Sequence, residues 1–306
     1  MSTVQTTTSS NNPMQEKLSS LPLPIPPPST STSTSSSLPS SSPSFSQTSQ
    51  KVQFIRNLTN ADVEKAALTM LDAFQEDALS QLLVCHVSDL EERKQLELSI
   101  YEAYIRQHIA KGIVLGQGEM EDKFETVSLW SHPKSVEQGL DSFSTLMEAG
   151  YDKVWRLAGP EGRDKIFKGM LPLLHDSCER IVHNDARFKG KGVFTLVYVG
   201  STKEARGKGN LRKMFEYMFE KYIDVAGDED HNNNNDNNNI AYLESSAPTN
   251  IPIYNKFGFH VVEDIVLGKK IAGAVEGQDY AVMNVMIRGP RGHDWTQDLS
   301  TNTIKL

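Results

Sequence analysis

One stretch constrains this chain more than any other: residues 193–211, reading VFTLVYVGSTKEARGKGNL. Val193–Val199 is nearly continuous in β-branched and aromatic residues, the composition of a strand buried on both faces. It runs into Arg206-Gly207-Lys208-Gly209 and then into a segment of helical spacing over 210–224. Glycines let backbone N–H groups approach an anion closely, and a helix N-terminus adds partial positive charge. Arg206 and Lys208 supplement that charge, so the unit reads as a cradle for a pyrophosphate. It is not a Walker A loop, because no GxxxxGK[ST] occurs, nor a Rossmann fingerprint, whose spacing differs. Alone, RGKG is also compatible with a tight turn, and its surroundings must decide.

The surroundings begin with what can fold. Of 306 residues, the first 50 are mostly Ser, Thr, Pro and Asn. Such a segment cannot bury enough apolar surface to offset its ordering entropy, so a disordered tail is expected over 1–50. A folded domain is expected over 51–290, with a second tail over 291–306. An Asn- and acid-rich run, 227–239, reads as a solvated loop insertion, which costs a fold little.

The formal net charge of -8 disfavours nucleic acid as a partner. No window approaches the ~18 apolar residues of a membrane span, so no membrane partner is expected. Two cysteines, Cys85 and Cys178, are too few for a disulfide framework and suit a reducing compartment. The N-terminus lacks a secretory apolar region, and Lys17 is its only base before Lys51. A cytoplasmic protein follows, with room for a nuclear pool, as a monomer or homodimer. His175, Cys178 and His183 match no common zinc spacing, and no metal is expected.

Along the chain, apolar spacing predicts a strand within 52–58, a capping signal at Thr59–Asp62, and helices over 63–74 and 79–111 with a break near His86–Asp89. Short strands follow at 113–115 and 127–130. Two or three helices fill 135–183, broken at Gly159-Pro160 and at Pro172. After the 193–199 strand and its helix come a strand at 240–244, a short helix at 251–257 closed by Gly258, and strands at 260–267 and 281–287. The order βααββ, helices, βαβαββ indicates an α/β (α+β) domain with a mixed sheet flanked by helices.

The second informative block is residues 242–259, YLESSAPTNIPIYNKFGF. Together with the glycine loop, it makes the chain resemble the GNAT acetyltransferases. In these a strand, an R/Q-x-x-G-x-G/A loop and a helix bind the pyrophosphate of acetyl-CoA, and a later Y-x-K-x-G-F helix completes the site. Arg206-Gly207-Lys208-Gly209-Asn210-Leu211 matches the loop except at Leu211, where the family has Gly or Ala. Asn250, Tyr254, Lys256, Gly258 and Phe259 match the second motif. LWSHPKSVEQG (129–139) and the 242–259 block look like the puromycin N-acetyltransferase-like branch, and the likeness spans about residues 52–290.

The resemblance implies two central parallel strands splayed around the thioester, with acetyl-CoA as co-substrate and an amine of a small molecule or peptide as acceptor. Backbone N–H groups near Val199 and Ser201 would hold the carbonyl and the pantetheine arm, and Val199-Gly200-Ser201 is expected to form a bulge. Asn250 would shape the loop or contact the cofactor. Tyr254 would protonate the departing thiolate, and Glu244 would deprotonate the amine. A carboxylate in an apolar strand costs energy unless used or paired, so a paired structural role for Glu244 stays open. Trp130 belongs either to the core or beside the acceptor pocket. The competing reading is a non-catalytic module of the same fold that binds acyl-CoA. A kinase or NTPase would need metal-binding elements that are missing from the motif set.

Overall fold

The computed structural model describes residues 54–225 and 238–299. The tail expected over 1–50 and most of the 227–239 insertion lie outside these residues.

Among the described residues, seven strands form one sheet in the order β1-β2-β3-β4-β5-β7-β6. They are β1 (Ile55–Asn57), β2 (Ile113–Glu119), β3 (Phe124–Ser131), β4 (Val193–Ser201), β5 (Ile240–Ser245), β6 (Phe259–Gly268) and β7 (Tyr280–Arg288). Every described pair is antiparallel except β4 with β5. β2 and β3 run four residues beyond and three before their predicted limits, so the turn between them shrinks to residues 120–123.

The parallel pair is short. It runs from Val193 opposite Ile240 to Leu196 opposite Leu243 and stops there. β4 continues to Ser201 along β3, and β5 to Ser245 along β7. The two strands therefore diverge, and the edge of β4 from Val197 onward opens toward a gap. The cause is local. Leu129 opposes Tyr198 while Trp130 opposes Leu196, so Val197 is an extra residue on β4. A bulge bends its strand and increases the twist, and here it falls where pairing to β5 ends. The bulge expected at Val199–Ser201 is thus at Val197; the later residues stay in regular register with β3, which holds them straight.

Helices cover both faces of the sheet. α1 (Val63–Ala73), α2 (Ala78–Val84) and α3 (Leu90–Lys111) follow β1, with Asp77 and Asp89 capping the second and third. α4 (Phe143–Ala149) and α5 (Tyr151–Arg163) follow β3. α5 kinks at Gly159-Pro160, as the sequence suggests. Pro172 breaks nothing: a π-helical stretch, Asp164–Met170, runs up to it, and Pro172 lies in the first turn of α6 (Leu171–Asn184). α7 (Asn210–Met218) follows β4 and ends in a π turn, Phe219–Ile223, and α8 (Ile251–Asn255) follows β5.

The faces differ in character. Phe194, Leu196, Leu243 and Met286 pack against Met214, Phe215 and Met218 of α7 in a continuous apolar core. On the other face Tyr198 stands edge-on to Phe74, Tyr101 and Tyr104, with centroids 5.5, 5.8 and 5.2 Å away. Trp130 belongs to the α7 core: it is 1% exposed and packs on Phe215.

Within 291–299, expected as part of a tail, Trp295 packs on the domain while Arg291, Gly292, His293, Thr296, Gln297 and Asp298 are exposed. Trp295 is buried, donates its indole N–H to Ile287 O at 2.9 Å, and meets Phe188 edge-on. A lone tryptophan in a polar stretch supplies no periodicity, so pattern reading passes over it.

Candidate active site

The divergence of β4 and β5 opens into a cleft of about 870 Å³. One half is bordered by the β4–α7 connection, α7 and α8. The other is bordered by the α1–α2 junction, Tyr104 of α3, and Met170 and Leu174 of the α5–α6 helical run. The two sequence blocks, about forty residues apart, meet here because parallel strands carry both of their C-terminal ends to the same edge.

The glycine loop has the backbone its composition implied. Gly207 and Gly209 both sit at φ +79°, and a Cβ built on either would meet nothing within 4 Å. The glycines are therefore required by conformation, and the space beside them is open. A side chain there costs ~1–2 kcal/mol in left-handed backbone. Asn210 begins α7, whose first N–H groups point away from the helix body beside the loop. This arrangement fits an anion.

The cations of the loop are placed differently from expectation. Arg206 lines the cleft, with its guanidinium on Ala73 O at 3.1 Å. Lys208 is not among the lining residues. Its ammonium lies 3.1 Å from Glu125, a carboxylate of β3 that also accepts from the Asn210 amide at 2.7 Å. Glu125 thus holds the loop from below and draws Lys208 away from the open side. Asn210 is 2% exposed, and its side chain serves this network. Lys256 of the second motif also lines the cleft, as do Lys203 and Arg212, cations that neither motif singled out.

Val199 and Ser201 lie on the β4 edge facing the gap and line it; the Ser201 hydroxyl is engaged with Thr126 at 2.9 Å. Leu211 also lines the cleft while packing on the apolar core, so its bulk is partly turned inward. Asn250 lines the opposite wall, at the start of α8.

Tyr254 and Glu244 enter the same cleft. Tyr254 is 8% exposed, with its ring against Phe215 and Phe259. Burial, reinforced by the charge of Asp77, pushes its phenol up to about 12, so the hydroxyl keeps its proton across the neutral range. Glu244 faces away from the α7 core, on the same side of β5 as Tyr242. Burial lifts its carboxyl to about 7, against the opposing influence of the neighbouring Tyr242 hydroxyl. A carboxyl poised near neutrality can accept a proton, and a phenol held protonated can donate one.

Asp77 is the residue that sequence reading missed. It follows α1, caps α2 by accepting from Ser80 N at 2.9 Å, and accepts the hydroxyl of Ser246, just past β5. In sequence it looks like an ordinary cap, and nothing there signals that it reaches β5.

No family model matches the chain. It is 31% identical over 232 residues to an uncharacterized N-acetyltransferase of Schizosaccharomyces pombe, covering 75% of this chain and 80% of that protein. Among solved structures, it is similar to an HPA2-related acetyltransferase from Corynebacterium glutamicum: 15% identity, TM-score 0.48, 78% of this chain and 96% of the other. It is also similar to the Drosophila melanogaster polyamine N-acetyltransferase, with 9% identity, TM-score 0.46, and 77% and 98% coverage. On the sequence relationship to the yeast protein, the chain belongs to the GNAT family of acyl-CoA-dependent N-acetyltransferases.

Proposed function

We propose that this chain transfers the acetyl group of acetyl-CoA to the amine of a small molecule or peptide, with Glu244 as base and Tyr254 as acid. The observation that carries the reading is the convergence of the glycine loop, Glu244 and Tyr254 on one cleft at the β4–β5 divergence. The loop backbone from Gly207 to Leu211, with Arg206, would hold the pyrophosphate. The β4 edge at Val199 and Ser201 would align the pantetheine arm and the thioester carbonyl, with Asn250 on the facing wall.

The chemistry then balances as follows. Glu244 takes a proton from the ammonium of the acceptor, freeing its lone pair. The nitrogen bonds to the carbonyl carbon, the C–S bond breaks, and the new amide nitrogen sheds its second proton to solvent. Tyr254 gives its proton to the sulfur, leaving free CoA thiol, and is reprotonated from solvent. General acid and base assistance of this kind is worth roughly 10²–10⁴ in rate.

The experiment is release of free thiol from acetyl-CoA by the purified chain across polyamines, arylalkylamines, amino acids and puromycin. Turnover with any amine, with the acetylated product found by mass spectrometry, supports transfer. Tight acetyl-CoA binding without turnover on any of them favours an acyl-CoA-binding module instead.

A further inference from the structure

The charged groups of the cleft are sorted by half. The half bordered by the glycine loop and α8 carries Lys203, Arg206, Arg212 and Lys256, with one acid, Glu216. The half bordered by the α1–α2 junction and the end of β5 carries Asp72, Glu76, Asp77 and Glu244, and the cations that reach it are Lys203, at Glu76, and Arg206, on Ala73 O. Two of those carboxylates are already offset: Asp72 by Lys123 at 3.4 Å and Glu76 by Lys203 at 3.2 Å. Asp77 and Glu244 are not. Asp77 accepts only from neutral donors, Ser80 N and the Ser246 hydroxyl, and among the described residues neither carboxylate has a cationic partner.

We propose that Asp77 holds a second, non-reacting cation of the acceptor, so that the acceptor is a diamine or guanidino-amine and not a simple monoamine. The inference rests on the transfer reading and follows from its charge balance. The attacking nitrogen is neutral once Glu244 has its proton, so it cannot offset Asp77 while transfer occurs. A partly buried carboxylate without a counter-charge costs free energy, and a cation that persists through the reaction removes that cost. The walls suit the same ligand. Phe74, Tyr104 and Tyr198 line this half, with Tyr198 edge-on to the other two. Their rings offer apolar surface for a methylene chain and electron-rich faces for a cation. A free amino acid would instead bring its carboxylate against Asp77 and Glu244.

The test compares 1,4-diaminobutane with n-butylamine, equal in carbon number and differing by one cationic group, in the thiol-release assay. Wild type should show kcat/KM about tenfold or more higher for the diamine, the scale of one charge-assisted contact. Asp77→Asn keeps an effective helix cap, so the fold is spared. In this variant the ratio should fall toward one, with the loss in the KM of the diamine. Equal kcat/KM for the two amines in wild type, or an unchanged ratio in Asp77→Asn, overturns the proposal while leaving acetyl transfer intact. Calorimetric titration of 1,4-diaminobutane into CoA-saturated protein reads the subsite without turnover. Binding that Asp77→Asn abolishes supports the subsite even if neither amine is acetylated, in which case only the transfer reading fails. No binding to wild type overturns it.

Discussion

Glu244→Gln separates two consequences of one buried carboxylate. The group titrates near 4.5 when solvated and near 7 in the cleft, because burial disfavours its charge. The folded chain therefore holds a proton there that the unfolded chain has released. For a raised carboxyl pKa the sign is that stability falls as pH rises from about 4.5 to 7, and the full penalty stands above 7. The span from 4.5 to about 7, at ~1.4 kcal/mol per pH unit, is on the order of 3 kcal/mol. The amide has the same shape and no charge. Glu244→Gln should thus stabilise the domain by about 2–3 kcal/mol at pH 8 and by less than about 1 kcal/mol at pH 5. The gain at pH 8 corresponds to a rise in Tm of roughly 4–12 °C for a domain of this size. Activity should move the other way. The wild-type rate should exceed the variant by ~10²-fold or more where Glu244 is ionised and the free amine still protonated, from pH 7 to about 9. That ratio should shrink below pH 7, where Glu244 is itself protonated, and above pH 9, where solvent supplies neutral amine. Thermal and denaturant unfolding at pH 5 and 8, with thiol-release rates from pH 5 to 10, measure both. A variant less stable than wild type at pH 8, or a rate ratio flat across pH, would refute the argument.

Three further outcomes are expected. Tyr254→Phe keeps the ring packed on Phe215 and deletes the proton, so turnover should fall ~10²-fold or more while calorimetry finds acetyl-CoA affinity unchanged; equal loss of affinity would make Tyr254 a binding residue. Gly209→Val puts a β-branched side chain at φ +79° in the cradle and should weaken acetyl-CoA binding by ~1–3 kcal/mol, with unchanged affinity in a folded variant removing the loop from the site. Trp295→Ala should cost about 3–5 kcal/mol in denaturant unfolding, since the indole is 5% exposed and hydrogen-bonded to Ile287; a loss under about 1 kcal/mol would mean that the segment after β7 does not belong to the core.

Much of this was legible before any coordinates. The 193–199 run reads as a central strand, because only Thr195 breaks its apolar and aromatic composition, and β4 lies in the middle of the sheet; it is half-buried from Val197 to Val199, where it borders the cleft. The left-handed glycines and the helix start at Asn210 follow from local chemistry that the sequence states outright. Glu244 and Tyr254 stood out because each departs from its setting: a carboxylate in an apolar strand, and a tyrosine in a recurring motif.

What the sequence could not decide depends on partners far along the chain. Lys208 looks like a phosphate-binding cation in its motif, but Glu125, eighty-three residues earlier, captures it across the β3–β4 ladder. The site of the bulge depends on counting Val197 against Leu129 and Trp130, a register that only strand pairing defines. Asp77 is a helix cap by sequence and a cleft carboxylate by structure, because the fold brings Ser246 to it from 169 residues away. Local composition determined which segments bend, cradle or span. Tertiary packing determined which charges meet, because a charge acts on whatever the fold places within a few ångströms, and spacing along the chain carries no record of that distance.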